Sequence, residues 1–190
     1  MKLVITQNIT LDGVIEATGG WFSPEGDGDD TSDIEAELQH QMRAEDGFLV
    51  GRTTFEEMRG YWPNQTDDTT GITAHLNRVT KYVVSSTLDD PEWENTTVLG
   101  GDPVDEVRSL KEQPGNDVGV TGSITLCHAL IEAGIVDEFR LFVYPVVLGR
   151  GRRLFADGVD VGRLELVDAT PYRSGVVQLT YRPTAQETTT

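Results

Sequence analysis

The chain alternates short apolar runs, too brief for helices, with stretches of helical period, and this alternation restricts it to an α/β sheet. The runs 2–8, 47–51 (Gly-Phe-Leu-Val-Gly), 80–86 (Thr-Lys-Tyr-Val-Val-Ser-Ser), 96–99 and 117–121 are rich in β-branched residues and read as strands. The first helix, over about 32–45, starts at a cluster of Asp, Thr and Ser and sets Ile34, Leu38 and Met42 on one stripe. A second opens directly after Gly51 with Phe55 and Met58, and a third runs from Pro103 to Gln113 with Val104, Val107 and Leu110. A fourth begins near Ser123, buries Leu126, Cys127, Leu130 and Ile131, and stops at Gly134. After the run 137–148, two alternating segments flank Ser174-Gly175, so a mostly parallel sheet should finish in a C-terminal antiparallel hairpin. Residues 1–183 read as one domain and 184–190 as a flexible tail.

Charge excludes whole classes of partner. There are 32 acidic against 15 basic residues, a formal net charge of −17, and the only lysines are Lys2, Lys81 and Lys111. Such a surface repels nucleic acid and anionic membranes, leaving a small molecule as the expected partner. The single cysteine, Cys127, leaves no disulfide framework and no Cys-rich zinc site, which fits a reducing, cytoplasmic location. The N-terminus turns polar too soon for a signal-peptide core, and no run approaches the ~20 apolar residues of a membrane span. The segment Pro24–Thr31 alternates Asp and Gly but lacks the terminal bidentate Glu of a calcium loop, so no metal is expected.

Phosphate-loop, nucleophile-elbow and H-E-x-x-H motifs are absent. His128 adjoins Cys127 inside a helix, where neighbours point to different faces, so the two do not form a nucleophile pair. Gly149-Arg-Gly151 starts like a dinucleotide fingerprint but lacks the third Gly and a following helix. Three strand-to-helix junctions carry more, because a helix start offers free amides and a positive dipole to anions. They are Gly51-Arg52-Thr53-Thr54, Ser85-Ser86-Thr87, and Thr121-Gly122-Ser123-Ile124. At the carboxyl ends of separate strands, they point to one extended phosphate-bearing ligand.

The ordered set Thr10-Leu-Asp12-Gly13-Val-Ile15, Val50-Gly-Arg-Thr-Thr-Phe-Glu56, Tyr82-Val-Val-Ser-Ser86, Val120-Thr-Gly-Ser123, Gly134-Ile-Val-Asp-Glu138 and Pro145-Val-Val-Leu-Gly-Arg-Gly151 resembles the dihydrofolate reductase-like superfamily. Within it, the chain is most similar to the C-terminal reductase domain of the bifunctional riboflavin-biosynthesis deaminase/reductase, as a stand-alone member. The resemblance covers about residues 2–182. It implies a three-layer fold and an NADPH site. Gly51, Arg52, Thr53 and Thr54 would hold cofactor phosphates, with Arg52 and Ser86 at the adenosine 2′-phosphate and Ser85 and Thr87 beside them. Thr121, Gly122, Ser123 and Ile124 would pass under the pyrophosphate and nicotinamide, and the segment from Asp12 through Ile15 to Ala17 would cover the nicotinamide ring. It further implies hydride transfer to a small heterocyclic imine or carbonyl, with 5-amino-6-(5-phosphoribosylamino)uracil, a dihydrofolate or pteridine as substrates, or nucleotide binding without turnover.

For the proton source the resemblance leaves Asp33 and Glu35 open, since counting favours Glu35 and the helix stripe favours Asp33, with Asp12 as a third candidate. Trp21-Phe22 and Tyr61-Trp62 could wall a flat heterocycle, and the apolar run Phe139–Val147 suggests a homodimer through a sheet edge. By resemblance, the Gly122-Ser123 link is expected to be a strained turn with a cis peptide, and Gly122→Val to add bulk on the ligand side.

Twelve Arg against three Lys with 32 acids is a halophilic pattern, in which negative charge repels itself unless screened. The melting temperature should therefore rise markedly from low to molar salt; a flat profile by calorimetry rejects a saline adaptation.

Overall fold

In the computed structural model, which describes residues 1–22 and 30–184, eight strands form one sheet. Most of the Asp/Gly segment 24–31 and the tail 185–190 lie outside the described residues. The strands are β1 (Lys2–Thr10), β2 (Glu45–Gly51), β3 (Thr80–Val84), β4 (Thr96–Leu99), β5 (Asp117–Val120), β6 (Glu138–Tyr144), β7 (Leu164–Pro171) and β8 (Val177–Pro183). Their order is β4-β3-β2-β5-β1-β6-β8-β7. The first six are parallel, and β8 and β7 close the sheet antiparallel as a hairpin turning at Gly175, where φ is +83°. The run expected to form a dimerising edge is β6, which lies between β1 and β8; the true edges are β4 and β7, so that reason for a homodimer is withdrawn.

Strand alternation divides the helices into two layers. On one face Leu3, Ile5, Leu49, Val118, Val120, Phe139 and Leu141 bury the apolar stripes of α4 (Pro103–Lys111) and α5 (Ile124–Glu132), including Val107, Leu110, Leu126 and Leu130. On the other, Phe48, Val50 and Val83 pack on Phe55 of α2 (Arg52–Tyr61) and Leu76 of α3 (Ile72–Arg78), while Phe142 packs on Ile34 of α1 (Ser32–Ala44). The start of α4 follows its sequence signal: Asp102 accepts from the amides of Val104 and Asp105, and Pro103 stands first in the helix. Helix α3 carried no such signal, having only Ile72 and Leu76 as apolar anchors in seven residues. Asp68 organises its start, accepting from the Thr70 and Thr73 amides, and the buried Lys81 ammonium closes its end by donating to the Leu76 and Val79 carbonyls.

The inward stripe of α1 differs from the expected Ile34–Leu38–Met42. At about 100° per residue Gln41 lies only about 20° from Ile34 around the axis, whereas Met42 lies about 80° away. Gln41 is accordingly the buried residue, at 5% exposure. The stripe continues to Glu45, whose carboxylate lies over the α carbon of Gly119 and 3.2 Å from Nε2 of the buried His75. A Cβ on Gly119 would stand 2.5 Å from Glu45 Oε1, in a site too enclosed for the carboxylate to swing free. Gly119→Ala should therefore lower unfolding free energy by about 1–3 kcal/mol in denaturant titrations. Gly60→Ala, where a Cβ meets nothing within 4 Å, should raise it by roughly 0.5–1 kcal/mol.

Candidate active site

The carboxyl ends of β2 and β5 are tied together by a reciprocal exchange. The Gly51 amide donates to Ser123 Oγ at 2.9 Å, and the Ser123 amide donates to Thr54 Oγ1 at 3.1 Å. Gly51 at the start of α2 has no side chain and Ser123 at the start of α5 turns its hydroxyl to the neighbouring segment, so neither helix is capped by a side chain. The first-turn amides of both helices are thus left for another partner, and two positive dipole ends point from adjacent strands.

Gly122 and Ser123 both have left-handed backbones, with φ of +59° and +51°. No cis peptide occurs among the described residues, which overturns the expected cis link. The strain lies instead in Ser123, since a left-handed residue with a Cβ costs roughly 1–2 kcal/mol. A Cβ on Gly122 would lie 3.1 Å from Thr54 Cγ2, so the bulk of Gly122→Val would press on protein as well as on any ligand, and the expectation of a purely ligand-side effect is corrected. Gln7, 4% exposed, holds this turn from β1: its Oε1 accepts from the Gly122 amide at 3.3 Å and its Nε2 donates to the Gly122 carbonyl at 3.0 Å. Sequence reading missed Gln7, although it is the polar member of the alternating row Leu3, Ile5, Gln7, Ile9. The Cys127 thiol also donates to the Gly122 carbonyl, and burial pushes it up to about 12, so it is an inert buried group.

The third junction joins the first through Arg52, whose Nη1 donates to Thr87 Oγ1 at 2.5 Å while its Nε pairs with Glu56 at 3.3 Å. Ser85 Oγ accepts from the Thr87 and Leu88 amides, fixing the turn after β3, which ends at Val84, two residues earlier than expected; the chain then runs on to β4, so the expected helix start at this junction is corrected to a turn without a helix dipole. Arg52, Thr53, Ser86 and Thr87 are exposed on this rim. An open depression of about 560 Å3, lined in part by Met1, Lys2, Lys111, Asp117 and Asp137, lies at the opposite, amino end of the strands and includes none of these residues.

The segment after β1 is sewn to the chain after β6. Leu11 bonds Val146, Val14 bridges Arg153, Ile15 donates to Arg152, and Glu16 pairs with Arg152 Nε at 2.7 Å. Asp12 is the centre of this seam: its carboxylate accepts from Thr10 Oγ1 at 2.7 Å and from the Gly149 amide at 2.7 Å. Those bonds, the Thr10 hydroxyl first, pull its pKa down to about 2. A group ionised throughout the neutral range is a poor proton donor, and the geometry makes Asp12 a loop anchor. Ile15 is buried beneath the segment and Ala17 is exposed. From α5, His128 Nε2 reaches the Arg153 carbonyl at 2.7 Å.

Of the α1 acids, Asp33 accepts from the Arg173 amide at 3.1 Å, and Glu35 accepts from the Thr31 hydroxyl at 3.1 Å. Neither lies on the inward stripe, where Glu37 stands, accepting from Gln41 Nε2 at 2.7 Å. Glu37 was not singled out in the sequence, though the Ile34–Gln41 spacing marks it once the buried face is known. Trp21 packs edge-on against Phe22 and Tyr144, while Tyr61 packs edge-on against Trp62 and remains 56% exposed.

A three-layer architecture with this strand order and a C-terminal antiparallel hairpin is a dihydrofolate reductase-like fold. Residues 1–178 match the RibD C-terminal domain, and the chain belongs to that family, whose members include reductases. It is 33% identical over 186 residues to the uncharacterized protein YyaP of Bacillus subtilis, covering 95% of this chain and 94% of that one. Its fold is similar to the diaminohydroxyphosphoribosylaminopyrimidine deaminase/5-amino-6-(5-phosphoribosylamino)uracil reductase of Thermotoga maritima, with a TM-score of 0.66 and 15% identity over 96% of this chain and 56% of that one. Dihydrofolate reductase of Enterococcus faecalis complexed with NADP(H) gives a TM-score of 0.63 and 19% identity, with 97% of each chain covered.

Asp12→Asn should free the 146–149 segment, raising amide exchange at Leu148 and Gly149 at least tenfold while core amides are unchanged. Because the Asp12 pKa is depressed from 3.8, its hold is fully present above that value and is lost as the pH falls through about 2. The wild-type Gly149 amide resonance should titrate accordingly, and the Asn variant should show no such step.

Proposed function

We propose that this reductase-family protein uses NADPH to reduce a C=N or C=O bond of a small heterocycle. The observation that carries this reading is the joining of three junctions into one rim of donors: the Gly51–Ser123–Thr54 exchange links α2 to α5, and Arg52 reaches Thr87 beyond β3. Uncapped helix amides, hydroxyls and one guanidinium form a donor set suited to a dinucleotide's phosphates. Arg52 and Ser86, flanked by Ser85 and Thr87, would hold the adenosine 2′-phosphate. Gly51, Thr53, Thr54 and the 121–124 turn would hold the pyrophosphate. NADPH, when bound, supplies the hydride. The chain's part is to fix the ring against the substrate, with the 12–17 segment excluding water above it.

The substrate we favour by family is 5-amino-6-(5-phosphoribosylamino)uracil, with a dihydrofolate or other pteridine as the alternative. Asp33 and Glu35 are retained for proton delivery, and Asp12 is assigned to anchoring. We take residues 1–183 as one cytoplasmic catalytic unit. Among the described residues no helix is long and apolar enough to cross a membrane. A second reading, nucleotide binding without turnover, is favoured by the trans Gly122 packed on Thr54 and is separated from the first by whether NADPH is consumed with pterin or aminopyrimidine substrates.

NADPH at a hundred times its dissociation constant should stabilise the protein by about 2.7 kcal/mol, seen as a higher melting temperature. Arg52→Ala should cut the NADPH to NADH affinity ratio about ten- to hundredfold. An unchanged ratio rejects Arg52 as the 2′-phosphate ligand, and no thermal shift with either nucleotide rejects the cofactor.

A further inference from the structure

We propose that Gln7 is the positioning residue that sets the Gly122–Ser123 turn and thereby aims the start of α5 at the candidate site. Its place in the sheet is unusual. On the face of β1 that packs under α4 and α5, Leu3, Ile5 and Ile9 are all buried and apolar, and Gln7 alone on that row brings an amide into the core. A buried amide is costly unless both of its ends are satisfied. Here both ends are taken by the same residue, 122: its N–H reaches Gln7 Oε1 and its carbonyl receives Gln7 Nε2.

This two-point grip fixes the orientation of the peptide planes on either side of residue 122. A single hydrogen bond would leave the turn free to rotate about it, whereas two antiparallel bonds do not. The orientation matters because residues 122 and 123 are both left-handed and could relax by rotating the intervening peptide. Rotation there would carry the Ser123 amide away from Thr54 and Ser123 Oγ away from Gly51, undoing the exchange that joins α2 to α5. Cys127 Sγ adds a donor to the Gly122 carbonyl but reaches no second group of that turn, so it cannot replace the grip. Gln7 is 115 residues from Gly122 in sequence and is buried at 4% exposure, so it acts through the turn and not on a ligand.

The test uses Gln7→Met, which keeps volume but has no amide, and Gln7→Glu, which is isosteric. In Gln7→Met, hydrogen exchange at the Gly122 and Ser123 amides should speed up at least tenfold relative to β1 and β6 amides, in the absence of any nucleotide. In Gln7→Glu the ionised carboxylate offers two acceptors to a carbonyl and an amide, so the grip fails at high pH. Once protonated, its hydroxyl replaces Nε2 and the exchange protection returns as the pH is lowered, a step the wild type lacks. A merely structural core residue gives no such pH-dependent recovery.

The second readout rests on the cofactor reading: NADPH should bind Gln7→Met at least tenfold more weakly, and binding to Gln7→Glu should recover with the same pH midpoint as amide protection. Unchanged Gly122 and Ser123 exchange in Gln7→Met overturns the proposal, as does altered exchange with unaltered NADPH affinity. If wild-type protein binds no NADPH, the cofactor reading falls, and the exchange measurements alone decide whether Gln7 sets the turn.

Discussion

The exchange between Gly51, Ser123 and Thr54 is the contact on which the candidate site depends, because it brings two uncapped helix starts to adjacent strand ends. A serine at an ordinary helix start would turn its hydroxyl inward and cap its own first turn. Ser123 cannot do so with a φ of +51°. Its hydroxyl faces β2, and its own helix is left open. Strain at one residue, held by hydrogen bonds from three strands' worth of neighbours, is what leaves donors exposed at a point where a fold driven only by stability would satisfy them.

The scarcity of cations acquires a meaning from where they sit. All three lysines are engaged: Lys2 with Glu138, Lys81 on the α3 carbonyls and over the Trp93 ring, Lys111 with Asp137. Glu138, 2% exposed, also receives Arg140 and Arg182, so a carboxylate buried in the sheet is neutralised from three sides. Arg152 and Arg153 tie the seam around Asp12, and Arg173 braces Asp30 and Asp33. In a chain of net charge −17, Arg52 is the base that reaches across the junctions at the strand ends, to Thr87, while also pairing with Glu56.

Much of this was written locally and could be read. The strands, the α4 start at Asp102-Pro103, the hairpin at Gly175 and the strand-to-helix junctions at Gly51 and Gly122 follow from short-range rules of period and turn chemistry, whereas the segment after Ser85 leads to β4 and not into a helix. What escaped reading depends on contacts between distant segments. Gln7 looks like an ordinary strand residue until Gly122 is placed beside it. Gln41 displaces Met42 because the buried centre of α1 follows angle and not hydrophobicity. Helix α3 is held by Asp68 and Lys81, neither of which lies within it. The cis link was expected from resemblance and not from any property of the residues themselves, and a trans turn of two left-handed residues meets the same spatial need.

The seam around Asp12 joins residues 137 positions apart, and β1 finds its partners only in β5 and β6. During synthesis, then, the first strand emerges well before either neighbour exists, and its apolar row Leu3, Ile5 and Ile9 must wait while more than a hundred residues are added. Long-range closure of this kind slows folding, because chain entropy is lost before the contacts that reward it are made. The first half of the nascent chain can gather β2, β3 and β4 with α2 and α3, but the rim stays unassembled until β5 arrives, and the segment above it until residue 149 has left the ribosome. A chain interrupted after β4 would carry four of the eight strands and lack the β5 side of the rim, and an acidic surface discourages such intermediates from associating.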